Sequence, residues 1–158
     1  MTQKTAVLFV TRTGHSRVLA QAIATKLGTE AYEIEDKVNR KGFLGYIKAG
    51  FQAAKKKASP IGDPLSDLSE IETVVLVQPI WASALIPPLR SWLQAHQGEL
   101  KGKRVALATI RLGSPAEAIR KAYEAEFGSL VAFAGFLQRD SDEVRATILD
   151  AFVKQLNS

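Results

Sequence analysis

The sequence predicts a three-layer α/β/α domain of the doubly wound class, built on a five-stranded parallel sheet. Short apolar runs alternate with longer amphipathic segments along the chain, which is typical of parallel strands joined by right-handed helical crossovers. Four of the runs are almost continuously apolar, as strands covered on both faces are. Because 158 residues is the usual length of one domain, we expect a single domain over residues 1–158.

Four buried strands and one edge strand are predicted. The buried strands are Thr5–Val10, Thr73–Val77, Arg104–Ala108 and Leu130–Leu137. Glu30–Glu35 mixes apolar residues with glutamates, and this pattern favours an exposed edge of the sheet.

Helical patterns fill the intervals between the strands. Apolar residues recur there at helical spacing, and two of the segments end at a glycine, a common helix C-cap. Two consecutive prolines open another segment, where the first helical turn tolerates them. The predicted helices are Ser16–Leu27, Gly42–Lys57, Pro87–Gln97, Pro115–Phe127 and Asp140–Leu156.

Composition excludes several kinds of site. The chain has no cysteine, which excludes disulfides, thiolate zinc sites, iron–sulfur clusters and cysteine nucleophiles. His15 and His96 are far apart in the sequence, so no histidine metal site is predicted, and we expect His96 to be solvated or to face the end of its helix. With no signal peptide pattern and no apolar run of about 18 residues, a cytoplasmic location is expected.

The net charge of +5 is concentrated in one segment. Lys37–Lys57 contains seven basic residues and no acidic residue, and the rest of the chain carries a net charge of −2. This basic segment is either a solvated helix face or a docking surface for an acidic partner. No nucleic acid partner is expected.

The loop after the first strand has the features of an anion site. In an open parallel sheet, ligands bind beyond the carboxyl ends of the strands, and a helix N-terminus attracts anions through its free amides and its dipole. Residues 11–16 (TRTGHS) add three hydroxyls and one glycine. No Walker loop and no GxGxxG dinucleotide fingerprint is present, so the loop predicts a site for a phosphate monoester held without a metal.

The same residues carry a resemblance to a known family. The pattern T-x-T-G-x-[ST] at the end of the first strand resembles the phosphate loop of flavodoxins. The similarity continues in register through Gln78-Pro79-Ile80-Trp81, the Pro87-Pro88 helix start, residues 109–114 (TIRLGS) and the second crossover, residues 40–57. It covers essentially the whole chain and implies a sheet of order 2-1-3-4-5 with non-covalently bound FMN.

The resemblance implies three FMN-binding loops, no catalytic side chain and no metal ligand. The phosphate loop comprises Thr11, Arg12, Thr13, Gly14, His15 and Ser16. The second loop comprises Pro79, Ile80, Trp81, Ala82 and Ser83. The third loop contains Thr109, Ile110, Arg111 and Gly113.

Three features of these loops bear on the chemistry. Trp81 could stack on the flavin ring, which is worth roughly 0.5–1.5 kcal/mol beyond burial. The second loop lacks the glycine that flavodoxins often use to stabilise the one-electron-reduced flavin, so we do not expect strong stabilisation of that form. Arg111 either points to solvent or stabilises the anionic reduced flavin by Coulomb attraction.

The resemblance implies an FMN-binding redox protein, and three alternatives stay open. The chain is a small electron carrier that docks with redox proteins, or an FMN-dependent oxidoreductase that uses NAD(P)H and a quinone-like acceptor. The third alternative is a flavodoxin scaffold without flavin that acts as a binding module, with the basic segment as its contact surface.

Overall fold

The computed structural model describes residues 4–11, 14–36, 61–65, 67–80, 85–111 and 116–158. Five strands of this part of the chain form one sheet: β1 Thr5–Phe9, β2 Ala31–Glu33, β3 Thr73–Pro79, β4 Arg104–Arg111 and β5 Ala132–Leu137. Their order is β2-β1-β3-β4-β5, and every adjacent pair is parallel. The predicted order 2-1-3-4-5 is therefore confirmed.

Helices cover both faces of the sheet. The described helices are α1 His15–Leu27, α2 Pro87–Ala95, α3 Gln97–Leu100, α4 Glu117–Phe127 and α5 Asp142–Leu156. Alternate strand residues point to opposite faces, and they divide between two buried clusters. One cluster joins the strands to α1 and α5, for example through Ile23 and Phe152; the other joins them to α2 and α4, for example through Trp92 and Tyr123. The three-layer prediction is thus confirmed.

The observed element ends differ from the predicted ends by a few residues. Helix α5 begins at Asp142, two residues later than expected, because Ser141 caps it and its Oγ accepts a hydrogen bond from the Val144 amide at 3.2 Å. Strand β4 continues to Arg111 because β5 pairs with it up to that residue and β3 pairs with it up to Ile110.

The edge strand is shorter than predicted. Only Ala31–Glu33 pairs with β1. The Ile34 amide still donates to the Phe9 carbonyl at 2.8 Å, and Glu35–Asp36 then pairs antiparallel with Ile61–Gly62. The predicted helix Gly42–Lys57 and the basic segment Lys37–Lys57 lie outside the described residues.

His96 is buried, so the first of its two expected positions, in solvent, is wrong; it lies at the end of its helix, as the C-cap residue of α2. Its side chain lies between two carboxylates, with Nε2 2.6 Å from Asp63 Oδ2 and Nδ1 2.8 Å from Glu99 Oε1. Its ring centroid is 4.5 Å from that of Trp92, whose Nε1 donates to Asp63 at 3.1 Å. Burial alone would lower the pKa of His96, but the hydrogen bonds and charges of Asp63 and Glu99 together raise it above 6.5.

Candidate functional site

The three predicted loops leave the sheet at one edge, where the parallel strands have their carboxyl ends. Val10, directly after β1, donates its amide to the Val77 carbonyl at 3.0 Å, and Ile80, directly after β3, donates to the Ile110 carbonyl at 3.2 Å. These bonds hold the ends of β1, β3 and β4 side by side. We call this edge, with its loops, the carboxyl edge.

The structure describes part of each predicted loop. The described site residues are Thr11, Gly14, His15, Ser16, Pro79, Ile80, Thr109, Ile110 and Arg111. The remaining ones, which lie outside the described residues, are Arg12, Thr13, Trp81, Ala82, Ser83 and Gly113.

The phosphate loop turns directly into α1. Thr11 Oγ1 accepts a hydrogen bond from the Gly14 amide at 2.8 Å, which commits that amide to the turn. Gly14 is the N-cap residue, and its φ of 94° lies in the left-handed region that favours glycine. The first amides of α1 have no acceptor within the helix, and they follow at once, beginning with the exposed His15.

Ser16 has an unusual environment within this loop. The residue is 1% exposed, and its Oγ has no hydrogen-bond partner in the described part of the chain. Buried hydroxyls are nearly always paired, so an unpaired one in the first turn of a helix indicates a place for an absent acceptor. The serine is a helical residue here, and Gly14 takes the capping position.

Arg17 does not extend from this loop as a free cation. Its guanidinium forms an ion pair with Glu33 at the end of β2 and lies 5.9 Å from the ring centroid of Phe9.

Gln78 connects the two ends of the second loop. It is fully buried at the end of β3, and its Oε1 accepts a hydrogen bond from the Ile86 amide at 3.2 Å. Ile86 immediately precedes α2, so this bond connects the two ends of the loop. Gln78 is not among the predicted site residues, although a glutamine inside the apolar run TVVLVQP was a usable signal.

Three residues assigned to the third loop lie within β4. The Ile110 side chain is buried in the core on the α1 and α5 side. Thr109 is fully buried, and Arg111 is partly buried. Thr109 Oγ1 and Arg111 Nε are both shielded from solvent without a hydrogen-bond partner among the described residues.

Gly135 on β5 is the close neighbour of these two groups. A Cβ built at this position would lie 3.8 Å from Thr109 Oγ1, 3.8 Å from Arg111 Nε and 2.7 Å from the Ala116 Cβ. Real Cβ atoms do not approach each other as closely as the last of these distances. Glycine at 135 therefore lets the residue before α4 pack directly against the sheet beside Thr109 and Arg111.

The carboxyl edge fits a ligand that carries an anion and hydrogen-bond acceptors. Ser16 offers a free hydroxyl beside the α1 amides, Thr109 offers a second hydroxyl, and Arg111 offers a guanidinium, which can only donate. These donors match the phosphate and the ring carbonyls of FMN. The described residues contain no cluster of three or more histidine, aspartate or glutamate side chains that could hold a metal ion.

A cavity at the opposite edge of the sheet has different chemistry. It has a volume of about 260 Å³ and is lined in part by Leu100, Lys101, Tyr123 and Phe127. Burial raises the pKa of Tyr123 to about 12, so this hydroxyl keeps its proton at neutral pH. The Lys103 ammonium, also in the wall, is bonded to the carbonyls of Leu68 and Ile71.

Known structures share the fold over nearly the whole chain. A Bacteroides eggerthii protein provisionally assigned as a flavoprotein matches 95% of this chain and 98% of its own, with 19% identity and a TM-score of 0.70. A Lactobacillus acidophilus flavoprotein in complex with FMN matches 96% and 99%, with 19% identity and a TM-score of 0.67. Oxidised flavodoxin 1 from Bacillus cereus matches 98% of each chain, with 12% identity and a TM-score of 0.63.

One enzyme is also among the matching structures. The apo form of an NADH:FMN oxidoreductase matches 98% of this chain and 90% of its own, with 15% identity and a TM-score of 0.59. The sequence matches no family model and no curated protein. These similarities show that the chain has the flavodoxin-like fold. No helix of the described residues has the length and apolar character needed to cross a membrane.

Proposed function

We propose that this chain, which has the flavodoxin-like fold, binds FMN at the carboxyl edge and acts as a redox flavoprotein. The main observation in support is the buried hydroxyl of Ser16, which lies beside the amides that open α1 and has no hydrogen-bond partner among the described residues. A phosphate oxygen would accept from this hydroxyl and from those amides, and the helix dipole favours the negative charge. The FMN complex of the Lactobacillus acidophilus flavoprotein has the same fold.

The residues of this edge bind and orient the cofactor, and FMN supplies the redox chemistry when bound. Thr11 and Gly14 shape the turn, while Ser16 and the first amides of α1 hold the phosphate. Gln78 fixes the ends of the second loop, in which Trp81 is proposed to stack on the ring. Thr109 and Arg111 lie on the side of the proposed site that is next to β5.

The binding proposal has a matched pair of serine variants. Ser16→Ala should weaken FMN binding about tenfold or more while leaving the stability of the apo-protein unchanged or higher, because the lost hydroxyl has no partner in the part of the chain that the structure describes. Ser141→Ala removes the cap of α5 and should cost about 1 kcal/mol of stability with no change in FMN affinity. Fluorescence titration with FMN and urea unfolding of the apo-protein measure the two quantities.

Two outcomes would contradict this assignment. A purified protein without flavin absorbance that also fails to bind added FMN would favour a flavin-free binding module. If the Ser16→Ala variant binds FMN as tightly as the wild type, the phosphate does not bind at the N-terminus of α1.

Within this function, an FMN-dependent reductase that uses NAD(P)H is the second candidate. The shared fold of the NADH:FMN oxidoreductase favours it, and an electron carrier is favoured by the similarity to flavodoxin 1. Stopped-flow reduction of the FMN-loaded protein separates the two. Rapid reduction by NADPH alone supports the reductase, and reduction only through a flavodoxin reductase supports the carrier.

A further inference from the structure

The cavity at the edge of the sheet opposite the carboxyl edge has the size and the apolar surface of a small-molecule site. We call it the amino-edge cavity. Its apolar wall consists of Leu100 of α3, Val105 of β4, and Tyr123 and Phe127 of α4, and the centroids of the two aromatic rings are 5.5 Å apart. The volume of about 260 Å³ exceeds the roughly 150 Å³ of an engineered apolar cavity that binds benzene. There is therefore room for one substituted aromatic ring.

The polar part of this wall is positively charged. Lys101 and Lys103 line the cavity, and the described residues that line it include no aspartate or glutamate. The Lys103 ammonium donates to two backbone carbonyls, which leave its charge in place. The carboxylates of Glu99 on α3 and of Glu124 and Glu126 on α4 each contact a basic side chain elsewhere. A concave apolar surface bordered by cations favours a ligand that carries a negative charge.

Contacts behind the wall hold it in place without a ligand. His96 Nδ1 lies 2.8 Å from Glu99 Oε1, which fixes the short helix α3 to the end of α2. The Leu100 amide donates to the His96 carbonyl at 3.0 Å, and the Lys103 amide donates to the Leu100 carbonyl at 3.0 Å. Because the wall is already ordered, little of the binding free energy is lost in ordering it.

We propose that the amino-edge cavity is a second binding site, separate from the carboxyl edge, for a small aromatic molecule with one carboxylate. The aromatic ring packs against Leu100, Tyr123 and Phe127, and the two lysines attract the carboxylate. This site does not depend on FMN, because its residues lie at the other end of the strands.

The first test uses benzoate as the probe and benzamide, the same ring without the charge, as its control. Each is titrated into the ¹⁵N-labelled protein, and the affinity is taken from the shifts of the backbone amides. Benzoate should shift the amides of Leu100, Lys101 and Phe127 with saturation, and benzamide should bind at least about threefold more weakly. No saturable shift of these amides, or equal affinity for the two probes, overturns the proposal.

The second test compares two exposed lysines. Lys101→Gln removes a cation from the wall, and Lys154→Gln removes one from the last turn of α5, outside the cavity. Lys101→Gln should weaken benzoate binding about two- to fivefold and leave benzamide binding unchanged, whereas Lys154→Gln should change neither. Benzoate affinity that is equal in the two variants would show that the charge of Lys101 does not contribute.

A third test fills the cavity. Ser129 is exposed and lines the cavity, so Ser129→Phe adds a ring there without disturbing the core, and urea denaturation checks that the variant is folded. A folded Ser129→Phe variant should lose the binding of both probes; unchanged binding would place the probes elsewhere.

Competition with FMN separates this site from the proposed function. Saturating FMN should leave benzoate affinity unchanged, and displacement of benzoate by FMN would place the probe at the carboxyl edge and overturn this proposal. A protein that binds benzoate in the amino-edge cavity but does not bind FMN would contradict the proposed function alone.

Discussion

Replacing Glu126 should lower the free energy of unfolding of this protein far more than replacing a glutamate of an exposed ion pair. Arg90 on α2 forms an ion pair with Glu126 on α4, and the Arg90 side chain is only 1% exposed. Its Nε has no hydrogen-bond partner among the described residues, so Glu126 is the partner that compensates the charge. Removing one member of a buried pair leaves an uncompensated buried ion, which typically costs about 3–5 kcal/mol.

The exposed pair of Lys4 and Glu70 provides the control. Their side chains are 61% and 75% exposed, and exposed pairs contribute about 0–1 kcal/mol. In urea denaturation we therefore expect Glu126→Ala to lose about 3–5 kcal/mol and Glu70→Ala to lose less than about 1 kcal/mol. For a domain of this size, the first loss lowers the melting temperature by roughly 10 °C.

A second substitution distinguishes the effect of the uncompensated buried charge from the effect of lost packing. Arg90→Met removes the cation while retaining a long apolar side chain, and such replacements of buried pairs are often neutral or stabilising. The double variant Arg90→Met/Glu126→Ala should then recover most of the stability that Glu126→Ala alone loses. The reasoning is refuted if Glu126→Ala and Glu70→Ala cost the same, or if the double variant is no more stable than Glu126→Ala.

Two further predictions concern Gly135 and His96. Gly135→Ala should lower the free energy of unfolding by about 1–3 kcal/mol, because its Cβ would lie 2.7 Å from that of Ala116. Gly98→Ala is the control: there is open space at its Cβ position, so this substitution should be neutral or stabilising. The urea midpoints of the two variants check this. The pKa of His96 is raised above 6.5, so its contribution to stability is complete below 6.5 and is lost as the pH rises through the folded-state pKa. Unfolding free energies across that range should fall in the wild type and stay flatter in His96→Gln; equal slopes would contradict the role of the Asp63 and Glu99 contacts.

Most strands of the sheet were predictable because each is a short, local run of apolar residues. Continuous apolar runs are typical of strands buried on both faces, and β1, β3 and β4 each show one. The short β2 was the least predictable strand, since its pairing ends where Ile34 turns into the core and Glu35–Asp36 meets Ile61–Gly62. No local pattern in residues 30–35 contains the information that a distant segment will pair with them.

The edge of the sheet at which the three predicted loops begin was also predictable, but the details of the proposed site were not. The hydroxyls and the glycine of residues 11–16 indicate an anion site at the start of a helix. Ser16 is buried without a partner among the described residues, and Arg111 Nε lies 3.8 Å from the position of a Gly135 Cβ; both facts depend on residues that are distant in the sequence. The burial of His96 could not be predicted for the same reason. Asp63 is 33 residues away in the sequence, and only folding brings it next to the imidazole ring.

Helix α2 connects these long-range contacts with the proposed site. Gln78 fixes its first residues through the Ile86 amide, Arg90 ties its middle to α4, and His96 holds its end against Asp63. Helix α2 follows the second loop and α4 follows the third, so we expect the Arg90–Glu126 pair to affect the spacing of the two helices next to the proposed flavin site. Glu126→Ala should therefore also lower FMN affinity under conditions where the variant is still folded, whereas Glu70→Ala should not. Unchanged affinity in a folded Glu126→Ala variant would show that the loops are positioned by the sheet alone.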